Sequence, residues 1–262
     1  MSVVLVLVSS RLPAQSTHCE APGGGTVDPA ILERPVSLTR DIGRVSQRVT
    51  TRSPQAQAFY DQGLAYLHSY VWIEAARAFH QALRADPDCA MTWMGLARAE
   101  QGLERDVAAR AAIDRARALA PNVTDLERRF ILLRAAQMEA VAAAGTPEES
   151  RRHAAYKEQI EGALAAYPDD AELWILRGNA EEPGAWGRGQ RGGIGSIAYY
   201  EAALRRAPGH FGADHYLVHS FENVGRHAEA ARHGKLYAEA APAVAHAQHM
   251  YAHVLPRLGR WE

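Results

Sequence analysis

Ala56-Gln57-Ala58-Phe59-Tyr60-Asp61-Gln62-Gly63-Leu64-Ala65-Tyr66 begins a unit that recurs along the chain. On a helix, Phe59, Gly63 and Tyr66 share one face. Ala75, Phe79 and Ala82 share a face of a second helix, which Pro87 terminates. Moved on by 34 residues, the pattern returns: Trp93 for Phe59, Ala97 for Gly63, Ala109 for Ala75, Ile113 for Phe79, Ala116 for Ala82 and Pro121 for Pro87. Ala and Gly at the shared positions let two antiparallel helices approach closely, and the aromatics fill the space between units.

Working outward, Thr124-Asp125-Leu126-Glu127 has capping-box form and opens a third unit. Its first helix reaches about Ala143, Gly145-Thr146-Pro147 breaks it, and a second helix reaches Ala166 before Pro168. A fourth unit opens at Ala171-Glu172-Leu173-Trp174 and is interrupted by the glycine-rich run from Glu181 to Gly195, too flexible for a helix. The fifth returns to the strict period, Pro208 to Pro242. The sixth starts near Ala245 and stops at Glu262 with only its first helix. The last helix is expected to leave Met250 and Leu255 exposed, with self-association as the consequence.

A helix–turn–helix period of this length, with small residues where helices touch, resembles the tetratricopeptide repeat. The segment from Phe59 to Pro87, the run Arg177 to Gln190, and His215 to Trp261 are similar to a group of exported bacterial tetratricopeptide proteins of uncharacterised function, over about residues 35 to 262. The resemblance implies an all-α, right-handed solenoid of about five and a half repeats. It also implies a concave groove, lined by the first helix of each unit, that receives a protein or peptide partner. The chain then divides into a signal-like segment and Gly-rich linker (1–26), an extended, non-helical N-terminal segment (27–53) and the solenoid (54–262).

The groove positions that the resemblance implies fall on Asn179 and Glu182 in unit four, His215, His219 and Glu222 in unit five, and His246, His249 and His253 in unit six. Helix geometry adds to this. His215, His219 and Glu222 are spaced i, i+4, i+7, and His246, His249 and His253 i, i+3, i+7, so each trio shares a face. Imidazoles with a carboxylate suit Zn, Fe or Cu. The alternative function is therefore a metal-binding protein or metalloenzyme using His215, His219, His249 and His253, with His246 and Glu222 at the margin. Asn179 or Glu182 would stand behind the ligands. The other histidines read as bland: His68 and His80 as helix-surface or inter-repeat residues, His227 and His233 as solvated surface, His153 and His210 without a role.

Two readings of the loop 181–195 stay open: a surface connection, or an anion cradle built from backbone N–H groups and two arginines. It has neither GxxxxGK[ST] nor a strand before GxGxxG, so no nucleotide motif is present. Val3-Val4-Leu5-Val6-Leu7-Val8 followed by Ser9-Ser10-Arg11 resembles the end of a secretory signal and predicts export, to the periplasm or outside the cell; the run is too short to span a bilayer. Net charge is −1 with no long run of one sign, which argues against nucleic acid and anionic membranes. Cys19 and Cys89 make no disulfide framework and no CxxC site. No HExxH, ordered Ser/His/Asp set or paired carboxylates point to a reaction.

Overall fold

The computed structural model describes residues 27–184 and 187–261. The signal-like run, Cys19 and the glycine-rich linker lie outside the described residues. Among the described residues all regular structure is helical. α1 (Pro29–Leu32) is followed by α2 (Pro54–His68), α3 (Trp72–Ala85), α4 (Ala90–Gly102), α5 (Asp106–Leu119), α6 (Asp125–Ala142) and α7 (Glu149–Ala166). Then come α8 (Ala171–Asn179), α9 (Ile194–Arg206), α10 (Phe211–Asn223), α11 (His227–Ala240) and α12 (Ala245–Val254), which passes into a 3-10 turn, Leu255–Leu258. None is long and apolar enough to cross a membrane. From α2 onward the helices form successive antiparallel pairs, an all-α solenoid in the expected register.

The small-residue rule has a specific cause here. A Cβ on Gly63 would fall 2.5 Å from the ring of Phe79, and one on Gly95 would meet the same ring at 2.5 Å. Phe79 is fully buried between two glycines of successive repeats. Tyr200 over Gly178 repeats the device further along, at 2.4 Å. Trp93 and Trp174 each donate their indole N–H to the carbonyl of the proline that closes the previous repeat, Pro87 at 2.8 Å and Pro168 at 2.7 Å. At α6 the capping box forms as read: Thr124 accepts from the Glu127 N–H, and Glu127 accepts from the Thr124 N–H at 3.0 Å.

The N-terminal segment is not wholly extended. Asp28 caps α1, and Pro29 at its first position presets the backbone for one helical turn. The rest runs along the solenoid and ties distant repeats together. Thr39 donates to Gln62 at 2.6 Å and Val49 to Gln57 at 3.0 Å in α2. Thr50 reaches Glu127 in α6, and the Asp41 carbonyl accepts from Ala243 just before α12, at 2.9 Å. Gly43, at φ +89°, lies beneath the ring of Phe211, where any side chain would collide.

This strap draws the array shut. The first repeat touches the fifth: α2 packs on α10, and a Cβ on Gly212 would fall 2.7 Å from the ring of His68. The concave side is filled by the chain's own side chains, Tyr60, Leu64, Leu67, Met94, Phe130 and Tyr156 among them, around a cavity of about 40 Å³. At the C-terminal end the expected apolar exposure is corrected for Met250, which is 1% exposed because α12 lays that face on α11, whereas Leu255 is half-buried.

Candidate metal centre

α10 carries His215 and His219 one turn apart, and α12 brings His246 to them from the next repeat. His215 Nε2 lies 3.0 Å from His246 Nε2 and 3.2 Å from His219 Nε2. The ligand atoms of the three residues all lie within 4.8 Å of one another. His215 is fully buried, and His219 and His246 are partly buried.

The tautomer of His215 follows from its surroundings. Its Nδ1 sits 2.6 Å from the His68 carbonyl, which can only accept, so Nδ1 carries the proton and Nε2 presents a lone pair. Burial, and then the neighbouring His246 and His219, hold the His215 imidazole well below its usual range. Burial, with His249 and His253 behind it, brings His246 down to about 4. His215 and His246 are thus neutral rings near pH 7. Two nitrogens face one lone pair, which accepts one good hydrogen bond. A cation at the centre would satisfy all three. With metal–nitrogen distances of 2.0–2.1 Å, the edges of a tetrahedral ligand set are about 3.3–3.4 Å, close to the spacings observed.

Tyr70 covers the group. Its ring centroid lies 4.5 Å from that of His215, 5.4 Å from His246 and 6.0 Å from His219. It occupies the left-handed turn between α2 and α3 at φ +56°, a slot held by Glu104 one repeat later and by Gly225 in repeat five. A bulky residue there is strained. The ring contacts and a hydrogen bond from its hydroxyl to the Arg188 carbonyl keep it in place. An aromatic in a turn slot that favours glycine was the sequence signal for Tyr70.

The remaining expected ligands lie elsewhere. His249 stacks on His246 with centroids 6.1 Å apart and is exposed; His253 follows it and pairs with Glu222, Nδ1 to Oε1 at 3.2 Å. They form a string leading outward from the trio rather than part of it. Asn179 and Glu182 are buried. Asn179 accepts from the Tyr200 hydroxyl at 2.7 Å. The Glu182 carboxylate accepts the backbone N–H groups of Arg188 and Arg191 at 3.0 and 2.9 Å. The glycine-rich loop is an anion cradle after all, but the anion is the chain's own Glu182.

A second histidine cluster lies beside the first. Glu172 Oε1 is 3.0 Å from His68 Nε2 and 2.9 Å from His210 Nε2. His68 Nδ1 meets the Tyr216 hydroxyl at 3.0 Å, and His210 Nδ1 accepts from the Ala213 N–H at 3.3 Å, capping α10. Burial would raise Glu172, but His68 and His210 hold its carboxyl well below the usual range. His68 and His210 are therefore interior residues, and so is His233, whose Nδ1 lies 2.7 Å from Asp214.

Residues 73–123 match a family model described as tetratricopeptide repeat. No curated protein matches the chain. Among solved structures it is similar to PilW, a widely conserved type IV pilus biogenesis factor, at 18% identity and a TM-score of 0.42, over 78% of this chain and 86% of that one. Arrays of this kind are protein-interaction scaffolds in general. The matched span runs from α3 through α5, the stretch in which the 34-residue register was first read: residues 73–123 are similar to the tetratricopeptide repeat, and helix pairs continue on either side of it.

Proposed function

We propose that this scaffold binds one transition-metal ion, zinc by its ligand chemistry, through His215, His219 and His246. The observation that carries the reading is the convergence of three Nε2 atoms at 3.0 and 3.2 Å, with the His215 lone pair turned inward by the His68 carbonyl. A partner on the other ring nitrogen is how proteins orient histidine ligands. Three protein ligands leave a fourth position for water or an incoming donor. His249 and His253 continue from the trio to the exposed side and mark the route by which an ion enters.

Metal content of protein purified from metal-replete growth tests the proposal. Near one zinc, copper or iron per chain is expected for the wild type, falling to background in His215→Ala with the helical signal retained. A metal-free wild type under those conditions contradicts it, and so does a His215→Ala variant that keeps its metal.

A further inference from the structure

A second feature is not used by the histidine site. Arg134 of α6 is 7% exposed, yet the acceptors around its guanidinium are neutral: Gln137 Oε1 at 2.6 Å, the Ala97 carbonyl at 3.4 Å, and Gln101. Its Nε has no partner. Arg98, one helix pair earlier, has the Tyr216 hydroxyl at 3.5 Å as its hydrogen-bond contact. The glycine-rich loop, folded on Glu182, delivers Arg188 to the same place, with its guanidinium 5.8 Å from the Trp72 ring. These three arginines share a cavity of about 20 Å³ with Trp72, Gln101 and Gln137, and among the described residues no carboxylate lines it. Arg98 and Arg134 also border the adjoining 40 Å³ cavity, whose carboxylate, Glu172, is already bonded to His68 and His210.

A buried guanidinium surrounded by neutral acceptors, as at Arg134, is costly, and a chain normally supplies a partner. We infer that this pocket binds a small tetrahedral oxyanion of the phosphate or sulfate class, held by Arg134 and Arg98 with Arg188 closing over it from the loop. The fork of a guanidinium suits oxyanion oxygens, and the pocket has room for at least one water-sized group beside the cavity it adjoins. Burial first, and then repulsion from Arg98, lower Arg134 to about 9, which marks a charge waiting for compensation.

Calorimetric titration of chelator-treated full-length protein with inorganic phosphate tests this, with chloride at matched ionic strength as the control. One saturable site is expected in the wild type, together with a rise in melting temperature that chloride does not produce. Arg134→Gln should weaken phosphate binding about tenfold or more, without lowering the melting temperature measured in its absence. If Arg134→Gln fails to fold, Arg98→Gln takes its place, with the same loss expected. No saturable phosphate or sulfate binding in the wild type overturns the inference. So does a folded variant that binds phosphate as the wild type does. Removing metal beforehand, and repeating the titration in His215→Ala, keeps the result independent of the histidine site.

Discussion

The two histidine clusters are neighbours with opposite bonding. In His68–Glu172–His210 both histidine Nε2 atoms meet one glutamate oxygen, and each Nδ1 has its own partner. In His215–His219–His246 three Nε2 atoms face one another, and among the described residues no carboxylate belongs to the group. The first cluster is complete as it stands and works as a buried clasp between repeats one, four and five. The second is the set that the proposed function fills with a cation. They meet at His68, whose side chain belongs to the clasp and whose carbonyl orients His215. Proximity and residue type do not separate a structural cluster from a ligand set; the direction of the lone pairs does.

The sharpest way to break this contrast is to remove the centre of the clasp. Glu172→Gln leaves His68 and His210 competing for one neutral acceptor inside the fold, and should destabilise by about 3–5 kcal/mol, the usual result of removing one partner of a buried ionic group. Denaturant melts would show it; a loss below ~1 kcal/mol would mean that the clasp carries no load. Gly212→Ala tests the closure on which both clusters depend, since its new Cβ lies 2.7 Å from the His68 ring. Overpacking of about 1–3 kcal/mol is expected, with reduced metal binding, because the His68 carbonyl moves with its ring.

Acid should then separate bound from metal-free protein. His246 titrates near 4 when folded and near 6.5 when unfolded, so in this window the unfolded chain binds more protons. Stability of metal-free protein is full above about pH 6.5 and lost progressively toward pH 4, on the order of 1–2 kcal/mol after discounting partial exposure. Zinc-loaded protein should resist until protons displace the ion, then fall more steeply. A melting temperature independent of metal across this range would contradict the assignment. The smallest effect is expected from His219→Ala, which should cost less than about 0.5 kcal/mol of folding stability yet lower zinc affinity at least tenfold. If stability falls instead and affinity is kept, the roles of the two clusters are exchanged.

Much of this was legible in the sequence because the information is local. The proline period, the Gly63–Phe79 contact, the Thr124 capping box and the interruption after Asn179 all follow from residues within one repeat or the next. The clasp was not legible: His68 meets Glu172 across 104 residues and Tyr216 across 148, and only the closure of repeat one on repeat five brings them together. The ligand trio was half legible. Strict periodicity pairs His215 with His249, 34 residues on, but His215 meets His246, 31 residues on. Glu182 was misplaced for a different reason. A helical reading carries it to the groove, whereas the glycines that follow let the loop fold back and bond it through its own amides.

The central claim is that the lone pairs of His215, His219 and His246 enclose one ion. X-ray absorption at the metal edge of zinc-loaded protein tests it most directly. The account predicts three imidazole nitrogens at 2.0–2.1 Å, with one lost in His246→Ala. A spectrum with only oxygen neighbours, or one unchanged in that variant, would contradict it.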